Sequence, residues 1–407
     1  MCFGPFRVLR PLCHWGPIIT ISLVTFITVS AIISYLEVFP PTLDHPGRII
    51  HFIFMLMWPI VIFNNYFQAV FLGPGFVPLG WVPEDKTAIT KLQYCIHCEG
   101  YKAPRSHHCR QCKRCVMKMD HHCPWINTCC GHRNHTRFIY FLITAPLGCF
   151  HGAIILGITI YVKMYQILYV ASNPRTRHKF QFSSSPFVEF NVYHLICCFI
   201  GIGASLGVMI AVGFLLYVQI SVARKNETGI ESWIKAKAEA REREDEFIYP
   251  YNLGWKENLK QVITWQGRPK GDGFTWPVVE GCDQYTLTVE QLTQKERKKH
   301  RTIEYIAVED YSGSWFPITK GLCTCCRVPI SEEPRIPISE GDTIMVTRWK
   351  KYWLYGDKCL TDEDKEDGLV RVRGWFPRRC VEKVMVEYSE SDHNHTSDKD
   401  ENTKKTD

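Results

Sequence analysis

The sequence predicts a polytopic α-helical membrane protein. It has four transmembrane helices, a soluble cysteine- and histidine-rich module between the second and third, and a small all-β unit near the C-terminus. Three observations predict this. Four apolar stretches of membrane-spanning length fill the first half of the chain, eight of the nineteen cysteines fall between Cys95 and Cys130, and the second half mixes charged segments with short β-rich runs. The averages conceal this segregation: 46% hydrophobic, 22% charged and a formal net charge of +7 describe an ordinary globular protein of 407 residues.

A bilayer core takes about 20 apolar residues in a helix. Residues 17–36, 49–71, 138–161 and 193–220 qualify, being rich in Ile, Leu, Val, Phe and Gly and almost free of charge. Helices of a soluble core are shorter and carry a polar stripe, which these lack. The first stretch has no small-residue cleavage site behind a short apolar core and reads as a retained anchor. Asn64, Asn65 and Gln68 are expected to bond across helices or to cap their ends.

Lys and Arg set the expected orientation. They are dense after the second span, where Lys102, Arg105, Arg110, Lys113, Arg114, Lys118, Arg133 and Arg137 lie, and the N-terminal arm has Arg7 and Arg10. The first loop offers only Arg48 beside Glu37 and Asp44; Lys163, Arg175, Arg177 and Lys179 in the third weaken the contrast. The balance places both termini and the cysteine-rich module in the cytosol. That compartment is reducing and favours metal-bound thiolates over disulfides. It also removes the sequons at Asn134, Asn226 and Asn394 from the lumenal machinery. The modest positive charge suits an anionic cytosolic leaflet and is too small to argue for nucleic acid.

The module reads CIHCEGYKAPRSHHCRQCKRCVMKMDHHCPWINTCCGHRNHTRF. Tetrahedral zinc takes four Cys or His ligands, usually supplied as close pairs. Cys95/Cys98, Cys109/Cys112 and Cys112/Cys115 have that spacing, and with His107, His108, His121, His122 and Cys129 there are ligands for two zinc sites and at least one cysteine to spare. A module this short and poor in aliphatic residues needs metal to fold. Spacing does not say which cysteine is spare. Asp120-His121-His122-Cys123 gives a local argument, because a nucleophilic thiol needs a base and a carboxylate beside an imidazole fixes its tautomer. The same run also reads as ordinary zinc ligands.

The segment from Cys95 to Phe138 resembles the cysteine-rich domain of the DHHC protein S-acyltransferases, with Asp120-His121-His122-Cys123 at the signature position. Lys102-Ala103-Pro104-Arg105, His108-Cys109, Pro124-Trp125, Asn127, Cys129, Gly131, Asn134 and Phe138 carry the match. The resemblance implies one zinc site of Cys95, Cys98, His108 and Cys115 and a second of Cys109, Cys112, His122 and Cys129. It implies Cys123 as nucleophile, His121 as general base, Asp120 as the group orienting His121, and Trp125 as a contact for the acyl chain. The implied reaction is a ping-pong transfer of a palmitoyl group from acyl-CoA to protein cysteines, with palmitoyl-CoA as co-substrate and cytosolic juxtamembrane cysteines as acceptors. Thioester exchange needs neither ATP nor a redox cofactor. A chain of about 15 methylenes at about 0.8 kcal/mol each favours an apolar medium by roughly 12 kcal/mol, so lodging it among transmembrane helices is economical. Lys113, Arg114, Arg133 and Arg137 are expected either to meet the CoA phosphates, some of them, or to contact only lipid headgroups. His97, His107, Cys130, His132 and His135 are left without roles and default to solvated surface, with Cys130 either acylated or inert.

Two motifs depart from the family pattern. Gly73-Pro74-Gly75 stands for Asp-Pro-Gly, and Thr228-Gly229-Ile230-Glu231 stands for Thr-Thr-x-Glu. Pro250 to Asn258 resembles the family's tail motif, with Asn258 as a structural hydrogen-bonding residue.

Beyond the spans, residues 234–247 read as a solvated helix and 267–300 as a linker. Strand-like runs at 304–307, 342–348, 353–355 and 369–373 follow. The fragments Ser339 to Ile344, Trp353 with Gly356, and Gly374 to Val381 resemble an SH3-like barrel. Cys380 replaces its usual binding-face tyrosine, which argues against proline-rich ligands. Cys323, Cys325 and Cys326, on a long loop without histidine, read either as ordinary loop cysteines or as sites of regulatory acylation by another acyltransferase. Lys404-Lys405 has the form of a dilysine retrieval signal for the endoplasmic reticulum. The expected organisation is an N-terminal arm over 1–16, spans 1 and 2 over 17–71, the zinc domain over 72–137, spans 3 and 4 over 138–220, a tail segment and linker over 221–303, the SH3-like domain over 304–386 and an acidic tail over 387–407. A non-enzymatic zinc-containing membrane scaffold is the competing reading; intact Asp120, His121 and Cys123 favour an enzyme.

Overall fold

The computed structural model describes residues 5–172, 192–241, 245–331, 333–361 and 371–384. It divides into two compact units, Met1–Thr293 and Gln294–Asp407.

The first unit holds α1 (Trp15–Val38), α2 (Pro46–Phe71), α3 (His135–Ser172) and α4 (Val192–Lys225). All four are long and apolar enough to cross a membrane. The helices outrun the apolar stretches where end chemistry allows. Pro46 opens α2 where its missing N–H is no loss, and α4 closes on Arg224 and Lys225, cations that suit the negative end of a helix. Ile53, Ile60, Ile210 and Phe214 are exposed, whereas Ser30, Ala31, Ser34 and Ala69 are buried. Large apolar residues outside and small ones between helices is the pattern of a bundle in lipid. Gln68 donates to Asn64 at 2.9 Å along α2, and Arg137 reaches Asn65 from α3 at 3.4 Å. Glu37 and Lys163, counted above as loop charges, form an ion pair buried between α1 and α3. Such pairing is what low dielectric demands of intramembrane charge.

Between α2 and α3 the chain folds into three short antiparallel hairpins: β1 (Tyr94–Cys95) with β2 (Gly100–Tyr101), β3 (His107–Cys109) with β4 (Arg114–Val116), and β5 (His121–Cys123) with β6 (Thr128–Cys130). Glu99 and Lys113, each just after the second cysteine of a C-x-x-C pair, have φ of 51° and 54°. A left-handed conformation costs a non-glycine residue about 1–2 kcal/mol, and it turns the chain back directly after each cysteine pair.

After α4 come α5 (Gly229–Glu239), α6 (Trp255–Val262) and α7 (Thr286–His300). α5 departs from the solvated helix expected over 234–247. It starts five residues earlier, at a capping box between Thr228 and Glu231, and buries Glu231, Ile234 and Ala238. The expected linker also departs: Trp276 and Leu287 join Ile234, Tyr249 and Tyr251 in one buried cluster. Its polar composition hid these few anchors.

The second unit is an SH3-like barrel of β7 (Ile303–Ala307), β8 (Thr343–Trp349), β9 (Trp353–Lys358), β10 (Val372–Pro377) and β11 (Val381–Lys383). The antiparallel order is β10-β9-β8-β7-β11, around a core that includes Trp353, Tyr355, Phe376 and Ile344. Cys380 is buried in that core and presents nothing to a ligand. The short helix α8 (Leu322–Cys326) lies between β7 and β8, pinned where the Trp353 indole donates to the Thr324 carbonyl at 3.1 Å. Lys404 and Lys405 lie outside the described residues.

Candidate active site

The hairpins bring the metal-ligating residues into two groups: Cys95, Cys98, His108 and Cys115, and Cys109, Cys112, His122 and Cys129, with ligand atoms within 4.8 Å of one another in each. His108 Nδ1 is 3.4 Å from Cys95 Sγ and Cys98 Sγ and 3.9 Å from Cys115 Sγ. His122 Nδ1 is 3.6, 3.4 and 3.7 Å from the sulfurs of Cys109, Cys112 and Cys129. A tetrahedron with about 2.3 Å to sulfur and about 2.05 Å to nitrogen has N···S edges of about 3.6 Å and S···S edges of about 3.8 Å. The 3.6 Å between Cys112 and Cys129 sulfurs agrees, so both donor sets fit structural zinc.

Strand alternation then separates two chemistries. Successive side chains of β5 point to opposite faces, so His122 turns to its metal group while His121 and Cys123 share the other face. Asp120 Oδ2 meets His121 Nδ1 at 2.8 Å. The same carboxylate accepts from Gln219 Nε2 at 3.0 Å and, through Oδ1, from the Gly229 backbone N–H at 3.2 Å. Burial would raise the Asp120 pKa, but these donors and the charge of His121 hold it well below the usual carboxylate range. Burial would also lower that of His121; the bond to Asp120 and the neighbouring Cys123 sulfur outweigh it and push it up to about 9. Cys123 itself is 2% exposed, in an apolar cluster with Ile62, Tyr66, Ile126 and Phe138. An oriented imidazole beside a buried thiol in an apolar setting is equipped for nucleophilic chemistry.

Residues 88–236 match the family model described as DHHC palmitoyltransferase. The chain is 48% identical over 392 residues to Palmitoyltransferase ZDHHC6 of Mus musculus, covering 94% of each chain, and 47% identical to that of Danio rerio, covering 97% of each. This chain belongs to the DHHC palmitoyltransferase family. Probable protein S-acyltransferase 16 of Arabidopsis thaliana is 34% identical over 49% of this chain and 67% of its own. The protein is thus a membrane-embedded protein S-palmitoyltransferase, an acyltransferase, and acyl-CoA is the co-substrate of such enzymes. The two ligand groups would hold zinc as in the DHHC zinc-finger domain.

Several residues of this DHHC site escaped the sequence. Gln219, in the last turns of α4, also accepts through Oε1 from His135 Nε2 at 2.8 Å, tying α3 to the Asp120 carboxylate. His132 and His135 are buried rather than solvated, because each finds a partner: His132 meets the Gly271 carbonyl at 3.1 Å. Cys130 is fully buried, and desolvation raises its thiol pKa well above the ordinary value. His97 does stay exposed. The departures from family motifs keep their packing. Gly75, at φ +83°, passes its carbonyl to the Met117 N–H at 2.9 Å, and Thr228 Oγ1 accepts from the Glu231 N–H at 3.3 Å; in the tail motif, Asn258 donates to the Arg224 carbonyl at 2.7 Å. Of the four basic residues proposed for CoA, Arg114 and Arg137 already donate to protein carbonyls at Val77 and Gln266, while Lys113 and Arg133 are exposed.

Proposed function

We propose that the acyl group passes through Cys123. The Cys123 sulfur attacks the acyl-CoA thioester as its proton goes to His121. The C–S bond to CoA breaks, and CoA leaves as thiol with that proton. His121 then takes the proton of an acceptor cysteine, whose sulfur attacks acyl-Cys123; the Cys123 thiolate leaves and regains a proton. Asp120 fixes the imidazole and favours its charged form in both halves. Zinc, when bound, is structural and holds β5 in place. The single observation that carries this reading is the line Asp120–His121–Cys123, with a 2.8 Å carboxylate–imidazole bond beside a thiol buried in an apolar cluster. Incubation of purified protein with labelled palmitoyl-CoA tests it: hydroxylamine-labile label is expected on the wild type and absent from Cys123→Ala. Equal labelling of both would sink it.

The acyl chain, in this reading, runs from Trp125 into the apolar space among α1, α2 and α3 lined by Val24, Ile27, Met55, Trp58 and Gly148. Lys113 and Arg133 are the residues left to meet CoA phosphates. The acceptors are cytosolic juxtamembrane cysteines, with both termini cytosolic by the Lys/Arg balance, and the membrane in this reading is that of the endoplasmic reticulum, in line with the similarity to the ZDHHC6 relatives. Cys323 and Cys326 are exposed on α8 while Thr324 is buried, an arrangement that suits acylation of the loop, with Cys325, by another acyltransferase. Acyl-exchange mass tagging of cellular protein is expected to lose label in the Cys323/Cys325/Cys326→Ser variant; unchanged label would exclude these cysteines.

A further inference from the structure

The start of α1 carries no motif, yet four contacts join it and the neighbouring arm and helix to the turn that follows Cys123. His14 caps α1, its Nδ1 accepting from the Gly16 N–H at 3.4 Å, which fixes where the helix begins. Gly16 lies against the Pro124 carbonyl so closely that a Cβ there would fall 2.0 Å from the oxygen. The Trp15 and Trp125 rings meet edge to face at 5.2 Å. Asn127 Nδ2 donates to the Pro11 carbonyl at 2.9 Å, and from α2 the Tyr66 hydroxyl donates to the Trp125 carbonyl at 2.9 Å. The turn 124–127 is therefore held from outside the zinc module as well as from within it.

The two indoles are only half-buried, at 51% exposed for Trp15 and 43% for Trp125. Each uses an edge or face on the other and leaves the rest open, and Trp125 is two residues along the chain from the buried Cys123. A tryptophan at a membrane boundary commonly serves as an interfacial anchor. Such an anchor has no need of a partner ring on a catalytic turn, nor of a glycine beside it that permits backbone contact with that turn.

We propose that the first residues of α1 are a working part of the acyl site. Trp15 and Trp125 together wall the first methylenes of the acyl chain next to the thioester, and Gly16 is the positioning residue that lets α1 seat the Pro124–Trp125 turn. The inference rests on acyl transfer through Cys123. Because the wall lies at the thioester end, every chain length meets it, so its loss weakens short and long acyl-CoA alike.

Steady-state kinetics of full-length, zinc-loaded protein in detergent, with octanoyl-CoA and palmitoyl-CoA, tests this. Trp15→Ala is expected to raise KM for both donors by about fivefold with kcat little changed, the loss of one aromatic contact with the chain. Trp15→Phe is expected to restore KM. Gly16→Val is expected to lower kcat by about a hundredfold while two zinc ions per chain are retained, as displacement of a catalytic turn by about 1 Å would do. Wild-type KM in Trp15→Ala overturns the proposal, including the case where only membrane insertion suffers and Trp15 is an anchor. If Gly16→Val loses zinc, the Trp15 variants decide alone. Label persisting in Cys123→Ala is a separate failure, that of the nucleophile, and is read from the same preparation.

Discussion

Arg105 and Glu231 form an ion pair with a 2.6 Å Nε–O distance and side chains at 0% and 1% exposure. Arg105 comes from the zinc module and Glu231 from α5, beyond the last span. The guanidinium also donates to the Asn226 carbonyl at 2.7 Å and lies over the Tyr251 ring at 4.2 Å. Glu231 in turn caps its own helix at Thr228, and the next residue, Gly229, donates to Asp120. One buried pair thus ties the zinc module to the helix start that donates to the Asp120 carboxylate.

Glu231→Gln therefore has two expected effects. It leaves a buried guanidinium without its counter-ion, which costs about 3–5 kcal/mol. It also loosens the Gly229 contact with Asp120. A lower melting temperature and slower autoacylation are expected together, read by thermal unfolding and single-turnover labelling. A variant with full stability and rate would show that the pair is dispensable.

Metal removal tests the module. The strands of its hairpins are two or three residues long, and the ligand cysteines are among its main buried groups. Strong chelation is expected to release two zinc ions per chain and to abolish hydrogen-exchange protection over 95–130 while α1–α4 stay protected. Cys129→Ser is expected to lower zinc content from two toward one. Retained protection after complete zinc loss would mean that the module folds on side-chain packing alone.

Gln219 bridges Asp120 and His135, donating to the carboxylate through Nε2 and accepting from the imidazole through Oε1. Gln219→Leu keeps the size of the side chain and removes both. Loss of such a supporting contact costs about ten- to a hundredfold in activity, with zinc content unchanged. Single-turnover acylation of Cys123 is the readout; a wild-type rate would relegate Gln219 to packing.

The parts of this site that follow local spacing were open to the sequence. Cysteine pairs three positions apart and the run from Asp120 to Cys123 lie within short stretches of chain, so their chemistry is written contiguously. Gln219 is 99 residues from Asp120, and one amide in an apolar span reads as an ordinary interhelical bond. His132 and His135 look like surface residues until Gly271 and Gln219 arrive from distant segments. Gly16 and Trp15 belong to no motif, and only the docked helix shows why the first has no side chain. Apolar periodicity tells which segments enter the membrane; it is silent on which ends converge over Cys123. The SH3-like strands were legible because each is a short run between turn signals, whereas Cys380, read as a binding-face position, lies inside the core.

Lys118 gives a dependence on pH with a definite sign. Its side chain is 4% exposed, its ammonium lies 5.5 Å from the Trp276 ring centre, and the charged groups around it are Arg105, Glu231 and Asp120. Burial is the largest influence and, with the nearby Arg105 cation, pushes its pKa down to about 7 against the pull of Glu231 and Asp120. In the unfolded chain a lysine titrates near about 10.4. Between those values the unfolded state holds a proton that the folded state has released, so stability rises as pH climbs from about 7 toward about 10. Below that window both states carry the proton and the contribution is flat, at its least favourable. Lys118→Met removes the term. Its gain in melting temperature over the wild type is expected to be larger at pH 6.5 than at pH 9, measured on zinc-loaded protein in detergent. A difference that does not change between the two pH values would mean that Lys118 keeps its charge when folded.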